Sequence, residues 1–453
     1  MVAWERCHAA GSGSRLAAVY TCPVPRRLPA LAAAVALAAA LLGGCASPAL
    51  RAEVAVPGDA ATIAEALELV APGGVVRVAA GRYEEQVVVD TPDVTLRGED
   101  RDGTVIDGGG IRPYGVVAIA DGVSIENLTV TGATFYGVLV TGLHDGDAPA
   151  DPGTGGYTGW DPERFPPLQR FLVDHVTAHN NGLYGIYAFN SQHGVIRDSY
   201  ASGSADSGFY VGQCEQCDIL VTGNVAERNA VGFENANASD SVVVVGNRFS
   251  GNRVGMTLLS SYQEAFTPQR GNTVVGNLVA DNTEADSPSQ AEGGFATGVG
   301  ISGGQHNVVE RNRITGNPRA AVVLASTEDI PALGNRFVDN VVDGVAVANV
   351  SRARTPASGN CWRDAVLTEP AELAAELADA CDGATGAQAA ADGIAGPEEP
   401  RGVSFLKVAP PRAQPQLERG VATDPLPRTV RMPDLASFGV PEHSFLADRS
   451  GTR

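Results

Sequence analysis

Short stretches in which apolar and polar residues alternate, each bounded by glycine or asparagine, recur along most of the chain. Similar segments begin at Asp174, Asp198, Asn224 and Asn247, so successive copies are 24, 26 and 23 residues apart. Later steps of 30 and 35 residues indicate insertions. A period of two is typical of strands, and the units leave no room for a long helix. A repeat of this length, made of short strands and tight corners, predicts an all-β fold, a single-stranded parallel β-helix.

In a parallel β-helix, equivalent residues of successive coils stack about 4.8 Å apart and form columns. Two inward-facing apolar columns are expected: Val176, Ala226, Phe249, Val279, Ile314 and Phe337 in one, and Ile186, Phe209, Phe233 and Met256 in the other. A column of asparagines is expected at one corner: Asn180, Asn229, Asn252, Asn282, Asn317 and Asn340. Because asparagine tolerates a left-handed backbone and its amide can bond to both adjacent coils, these residues are interpreted as scaffold.

Residues that follow an inward-facing position point outward. An outward column is therefore expected to contain Leu139, Tyr187, Tyr210, Glu234 and Thr257. Phe189 also points outward, and His179 lies on the outer side of the preceding strand. Aromatic rings beside polar groups bind the apolar faces of sugars, so Tyr187, Tyr210, Phe189 and His179 are the predicted substrate-binding residues. The alternative, that the C-terminal tail or the 144–170 loop covers the tyrosines, stays open at this point.

Two carboxylates near this column are the candidate catalytic residues. Asp206 and Glu234 are one coil apart, and glycoside hydrolases need two carboxyl groups ~5–5.5 Å or ~6.5–9.5 Å apart. No cofactor is expected. Asp145, Asp147 and Asp151 offer oxygen ligands suited to Ca²⁺, but a solvated acidic loop is the preferred interpretation.

The N-terminus carries the pattern of an export signal. Arg26 and Arg27 precede an apolar run, 28–42, that is too short to span a membrane comfortably but suits a signal peptide. The run ends in Leu42-Gly43-Gly44-Cys45, which resembles the bacterial lipobox. We therefore expect a signal peptide over 1–44, lipidation of Cys45, a linker over 45–54, and anchoring on the outer face of the bacterial cell membrane. Ordinary signal cleavage, with Cys45 incidental, is the alternative.

Four cysteines follow Cys45, an even number in a chain expected to enter an oxidising compartment. Cys361 and Cys381 flank one segment and are predicted to pair. Cys214 and Cys217 form a C-x-x-C, for which a disulfide in a tight loop is preferred over zinc, because a second ligand pair is missing.

The two ends of the repeat region have their own patterns. Residues 59–70 predict a short amphipathic helix that caps the open end of a β-helix spanning 55–382. The Pro-, Ala- and Gly-rich segment 383–453 has no periodicity and is expected to be an extended or disordered tail. Loops without a strand pattern interrupt the repeats at 144–170, 260–270 and 286–296.

Charge narrows the possible partners. The chain has 32 Lys+Arg against 52 Asp+Glu, a formal charge of −20, and Lys407 is the single lysine. Nucleic acid is therefore not an expected partner, because such binding needs clustered positive charge. Strong unaided binding of polyanionic glycans is disfavoured for the same reason.

Several short motifs resemble the opening of bacterial right-handed parallel β-helix proteins, of the pectin-lyase-like and NosD-like carbohydrate-binding and sugar-hydrolase repeat families. They are Thr62-Ile63-x-x-Ala66-Leu67, Pro72-Gly73-Gly74, Gly81-Arg82-Tyr83-Glu84-Glu85, Thr95-Leu96-Arg97-Gly98 and Ile106-Asp107-Gly108. The resemblance covers roughly 55–365 and implies the fold but not the activity.

Three functional hypotheses follow for this expected monomer. The first is a surface-anchored β-helix lipoprotein that binds a glycan or another cell-envelope polysaccharide. The second is a polysaccharide-modifying enzyme (a glycoside hydrolase, lyase or epimerase) at the outer aromatic and acidic face. The third is a structural or adhesive surface protein.

Overall fold

The coils of the chain stack their strands into three long parallel sheets, which we name A, B and C. The computed structural model describes residues 49–146, 148–149, 161–290 and 293–451. The predicted signal segment 1–44 and Cys45 lie outside the described residues. From β2 to β33 the chain visits the sheets in the order A, B, C, apart from one short hairpin of β11 (His144–Asp145) and β12 (Ala148–Pro149).

Sheet A contains twelve strands, in this order: β1 (Arg51–Val56), β2 (Val70–Val78), β5 (Thr95–Gly98), β8 (Val123–Glu126), β13 (Leu168–Asp174), β16 (Ser191–Arg197), β19 (Ile219–Thr222), β22 (Val242–Val245), β25 (Thr273–Val275), β28 (Val308–Glu310), β31 (Arg336–Val338) and β34 (Cys361–Trp362). Sheet B contains ten: β3 (Gly81–Tyr83), β6 (Thr104–Asp107), β9 (Thr129–Thr131), β14 (Thr177–His179), β17 (Tyr200–Ser202), β20 (Val225–Glu227), β23 (Arg248–Ser250), β26 (Leu278–Ala280), β29 (Arg313–Thr315) and β32 (Val341–Val342).

Sheet C contains the predicted outward-facing column. Its eleven strands are β4 (Val87–Val89), β7 (Tyr114–Ala118), β10 (Tyr136–Thr141), β15 (Tyr184–Phe189), β18 (Ser207–Cys214), β21 (Val231–Ala238), β24 (Val254–Leu259), β27 (Thr297–Ser302), β30 (Ala320–Ala325), β33 (Val347–Asn349) and β35 (Thr368–Glu369). Within the described residues the architecture is thus the predicted parallel β-helix, and its core is the stack of inward-facing side chains.

The strand register confirms one predicted core column and corrects the other. Ile186, Phe209, Phe233 and Met256 are consecutive partners in sheet C. In sheet B the column runs Ala178, Ala201, Ala226, Phe249, Val279, Ile314 and Val342. Val176 and Phe337 are buried but lie outside this column, and Phe337 belongs to sheet A. The reason is that a Gly-Asn pair precedes strands of both sheets, so the motif alone does not identify the corner.

Asparagine ladders run along all three corners, and not along one as predicted. Asn229, Asn252, Asn282 and Asn317 are linked amide to amide at the corner between sheets B and C. Asn340 ends a second ladder, between sheets A and B. Asn180 is in neither, because its side-chain amide donates to the carbonyls of Phe405 and Val408 in the tail. The ladders satisfy backbone N–H groups that the corners would otherwise leave buried without partners.

Both ends of the solenoid are covered by short helices. The predicted N-terminal cap is α1 (Ile63–Leu69), whose first turn is capped by the Thr62 hydroxyl. Strand β1 begins at Arg51, within the segment predicted as linker. At the other end α2 (Leu373–Cys381) buries Leu373 and Leu377. In the part of the chain that the structure describes, no helix is long and apolar enough to cross a membrane.

Two disulfides join the cysteine pairs that the sequence indicates. Cys214 is bonded to Cys217, at the end of β18, and both are buried. Cys361 is bonded to Cys381, which ties α2 to β34.

The C-terminal segment is extended but closely packed on the solenoid. It runs toward the N-terminal coils, where Pro415 accepts from Arg101, and returns along sheet A, where Val430 packs on Val243. It then crosses sheet B, where Arg248 donates to the carbonyls of His443 and Phe445. Near its end, Arg449 donates to the carbonyls of Asp198 and Ser199, at the corner between sheets A and B. The outer faces of sheets A and B therefore carry the tail.

Candidate functional site

The predicted outward column exists on sheet C. Leu139, Tyr187, Tyr210, Glu234 and Thr257 are consecutive register partners. The rings of Tyr187 and Tyr210 lie 4.7 Å apart, edge to face. Stacking of coils has brought together residues that are 23 positions apart in the sequence, as expected.

The column is not the open platform that the sequence analysis predicted. Tyr187 and Phe189 are each 8% exposed and Tyr210 is 3% exposed. They form a second apolar cluster with Leu143 and Phe165, which lie at the two ends of the 144–170 insertion. The alternative left open above, coverage by that loop, is therefore confirmed. Large aromatic side chains gain more by packing under a loop than by facing water.

The 260–270 insertion also covers the tyrosines, through Glu264. The Tyr210 hydroxyl donates a short hydrogen bond to the Glu264 carboxyl group, whose other oxygen is buried and has no hydrogen-bond partner among the described residues. Burial raises the pKa of Glu264 to about 8, although the bond from Tyr210 opposes this. Burial also raises the pKa of Tyr187 and Tyr210. Burial thus favours the uncharged form of all three groups, and the cluster serves as an internal core.

A different set of tyrosines is partly accessible, and the sequence analysis missed it. Tyr114, Tyr136 and Tyr184 occupy the first position of consecutive sheet C strands, and each is half-buried. Their rings are stacked, with centroids 5.4 Å apart in both steps. The available signal was the dipeptide Tyr-Gly, which recurs at 114, 136 and 184. These residues form a ladder of stacked rings along the solenoid axis.

The two candidate catalytic carboxylates lie together beyond this ladder. The Ser207 hydroxyl is 3.1 Å from an Asp206 oxygen and 2.9 Å from a Glu234 oxygen. These two oxygens are therefore within about 6 Å of each other, the sum of those distances. Asp206 is half-buried and Glu234 is buried. Burial, together with the charges of Asp206 and Glu234, raises the pKa of the neighbouring Tyr184.

A cleft opens on the outer face of sheet C after Glu234. Its volume is about 440 Å³. The floor continues the tyrosine column through Thr257, Gly300 and Val323, which are register partners. In earlier coils the rings of Tyr187 and Tyr210 fill this column. At the cleft the same column holds Thr257, Gly300 and Val323, which are too small to fill the space.

Polar groups from three segments line this cleft. Most are hydroxyls and amides: Thr257, Ser260, Ser261, Tyr262, Gln263, Gln290, Ser302, Ser326 and Thr327. The Gln290 amide also donates to Asp206 at 3.3 Å, which connects the cleft to the carboxylate pair. Tyr262 is 41% exposed and its hydroxyl donates to Asp329 at 2.5 Å. The Thr257 hydroxyl has no hydrogen-bond partner among the described residues.

His179 does not belong to this site. It lies in β14 of sheet B, paired with Thr131 and Ser202, and its Nδ1 atom is 2.5 Å from the Asn180 side-chain oxygen. The expectation that His179 lies beside the tyrosines is wrong, because the corner between sheets B and C turns it onto a different face.

The candidate Ca²⁺ ligands lie mostly outside the described residues. Asp147 and Asp151 lie outside the described residues, and Asp145 is exposed, 3.6 Å from Arg164. In the described ranges, one group of possible metal ligands converges: Asp174, His175 and Asp198. Both oxygens of Asp174 are already engaged, one by His175 and one by Arg197. Burial alone would raise the pKa of Asp174. The hydrogen bonds from His175 and Arg197 outweigh this effect, so the pKa of Asp174 lies below its usual range.

Stacked coils with side-chain ladders, covered ends and a cleft on one outer sheet face define the class of parallel β-helix proteins. A family model described as a right handed beta helix region matches residues 101–279 and 264–364. The chain therefore belongs to the right-handed β-helix family, as the sequence resemblance implies. No curated protein matches the sequence significantly.

Solved structures with similar folds have diverse activities. The mannuronan C-5 epimerase AlgE4 A-module of Azotobacter vinelandii is 18% identical, with a TM-score of 0.41, covering 62% of this chain and 83% of that one. Pectate lyase Pel9A is 14% identical, with a TM-score of 0.38, covering 69% and 83%. The Dettilon tailspike protein is 13% identical, with a TM-score of 0.41, covering 66% and 62%. At such identities no reaction or substrate follows for this chain.

Proposed function

We propose that this protein binds a glycan in the sheet C cleft. The observation that carries the proposal is the cleft itself, an opening of about 440 Å³ whose described walls are mainly hydroxyl and amide groups. Such groups exchange hydrogen bonds with sugar hydroxyls, which are both donors and acceptors.

Aromatic faces complete the proposed site. Tyr262 stands exposed at the cleft, and the half-buried ladder of Tyr114, Tyr136 and Tyr184 leads toward it past Asp206. Apolar faces of pyranose rings pack on an exposed ring such as that of Tyr262, and the stacked rings of the ladder present their edges. A linear polysaccharide lying along the solenoid axis would therefore contact the ladder and the cleft with successive sugar units.

Filling the cleft tests the proposal directly. A Cβ atom at Gly300 would meet Thr257 Cγ2 at 3.6 Å, an ordinary contact, so the backbone position accepts a side chain and Gly300→Val adds volume to the cleft. We expect oligosaccharide binding on a glycan array and by calorimetry to weaken at least tenfold, with an unchanged unfolding temperature. Gly386→Val is the matched control, because nothing lies near the added side chain and the site is remote. Equal binding by both variants would place the ligand elsewhere.

A second candidate function is glycan cleavage, favoured by one observation. The Asp206 and Glu234 oxygens bonded to Ser207 lie within about 6 Å of each other, near the separations that hydrolases use. Release of products from candidate polysaccharides, abolished in Asp206→Asn and in Glu234→Gln, would establish it. Binding that persists in both variants without product release would leave the protein a binding module.

The proposal includes location outside the cell. It is supported by the segment Leu42-Gly43-Gly44-Cys45, which resembles a lipobox. A protein held by acyl chains on the outer face of the cell membrane meets envelope polysaccharides directly. The Cys45→Ser variant is expected to lose both incorporation of a fatty-acid label and recovery in the membrane fraction. The Cys22→Ser variant is expected to keep both. Labelling that survives in Cys45→Ser would refute the anchor.

A further inference from the structure

The cleft on sheet C has a distinctive charge. The described residues that line it include no arginine, lysine or histidine, and they include one acid, Glu328. Glu328 is exposed and forms no ion pair within the described part of the chain. Because its carboxylate faces water at the wall of a concave site, it is available to a ligand.

More carboxylates border the cleft. Asp329 accepts the hydroxyl hydrogen of Tyr262, and Asp206 accepts a hydrogen bond from Gln290, so both stand directly behind lining residues. Glu234 precedes Thr257 in the column that forms the floor. A concave surface bordered by charges of one sign focuses the field and concentrates ions of opposite sign.

The arginines nearest in sequence to the lining residues are engaged elsewhere. Arg253 directly precedes Val254, but its side chain is buried and donates to the Pro400 carbonyl and to Glu399 in the tail. Arg319, four residues before Val323, donates to the Phe295 carbonyl. Arg352 lies next to the cleft, because its backbone N–H donates to the hydroxyl of the lining residue Ser326, but its guanidinium donates to the Asp392 carbonyl. None of these three guanidinium groups is thus placed to offset the acids at the cleft.

We infer that the glycan bound in this cleft carries protonated amino groups, as in polymers of de-N-acetylated amino sugars. The inference rests on the proposed glycan-binding function and specifies its ligand class. An ammonium beside Glu328 would form a charge-assisted hydrogen bond, and the face of the exposed Tyr262 ring attracts cations as well as sugar rings. A polyuronate would instead bring its carboxylates against those of the cleft, and the net charge of −20 would oppose its approach.

Three tetrasaccharides of equal length separate the possibilities: β-1,4-linked glucosamine, its fully N-acetylated form, and a uronic acid tetramer. Titration calorimetry with the full chain at pH 6 and low salt is expected to give at least tenfold tighter binding of the amine than of the acetylated form. Binding of the uronate should be undetectable. The amine's advantage should shrink in 0.5 M salt, since exposed charges are screened.

Two charge-matched variants identify the carboxylate responsible. Glu328→Gln is expected to reduce the ratio of the affinity for the amine to the affinity for the acetylated tetramer several-fold. Glu68→Gln makes the same change in net charge on the exposed side of α1 and should not alter this ratio. If the acetylated or uronate tetramer binds as tightly as the amine, the inference is overturned while glycan binding stands. If none of the three binds, and the wider glycan array is also silent, the proposed function fails and this inference with it.

Discussion

Buried asparagines favour stability at some positions of this fold and oppose it at another. In a ladder, Asn252 accepts from the backbone N–H of Asn229 and donates to the Ala226 carbonyl, so every polar group of its amide is used. Asn235 lies in the core column between Val211 and Leu258, is fully buried, and neither its amide nitrogen nor its oxygen has a partner among the described residues. Burying an unpaired amide is unfavourable, whereas a paired one is nearly neutral or stabilising.

Replacing Asn235 by leucine should therefore stabilise the protein. The two side chains are similar in size, and the neighbours Val211 and Leu258 are apolar. We expect the free energy of unfolding to rise by about 1–3 kcal/mol, measured as a higher urea midpoint with an unchanged slope. Asn252→Leu, the matched change in a ladder, should lower it. A loss of stability in Asn235→Leu would mean that this amide is satisfied in solution.

Glu264 predicts a pH dependence of stability. Its pKa is about 8 in the folded chain against an ordinary value of 4.5, because of burial. The folded state thus holds a proton that the unfolded chain releases, so its contribution is complete below pH 4.5 and is lost as pH rises toward 8. Glu264→Gln should remove this component and narrow the difference between urea midpoints at pH 5 and pH 9. An identical difference in both proteins would contradict the buried, protonated carboxyl.

The elements of the solenoid were predictable, and their covers were not. Alternating residues such as those around Phe209 and Phe233 define strands because half of each strand faces the core. The coverage of Tyr187 depends on Phe165, in a Pro-rich loop with no period, so only its possibility could be stated from the sequence. The tail was expected to be extended, but its docking uses its own backbone carbonyls as acceptors, and these carry no side-chain signature.

Arginines of the solenoid and of the C-terminal tail hold the tail in place. Arg449 is buried and donates to the carbonyls of Asp198, Ser199 and Gly223. Arg449→Ala leaves these carbonyls without their charged donor, and we expect it to destabilise docking of the last residues by about 2–3 kcal/mol. Limited proteolysis should then cleave within 430–451 much faster than in the native chain. Arg401→Ala, which removes an exposed guanidinium elsewhere in the C-terminal segment, should not have this effect; equal cleavage of both variants would refute the anchor.

At the scale of the whole molecule, the three sheets differ in what covers their outer faces. The tail packs on the outer faces of sheets A and B. The cleft on sheet C stays open beside the 260–270 and 286–296 insertions. The stacking axis, and hence the Tyr187–Tyr210–Glu234 column, followed from the repeat spacing. The accessible part of the face shifted to Tyr184 and Thr257, because accessibility is set by loops whose paths the repeats do not encode.

The two ends of the solenoid bear on self-association, because an uncovered end coil presents unpaired strand edges and an open core. Leu377 of α2 is fully buried against the last coil, whereas Ala375 of the same helix is exposed. Leu377→Asp should unseat the helix, lower the free energy of unfolding by about 3–5 kcal/mol and produce concentration-dependent oligomers in light scattering after size exclusion. Ala375→Asp adds the same charge to the exposed side of α2, and this variant should keep the stability and the particle mass of the native chain. If Leu377→Asp keeps the native particle mass at high concentration, α2 is not what protects this end of the solenoid from edge-to-edge association.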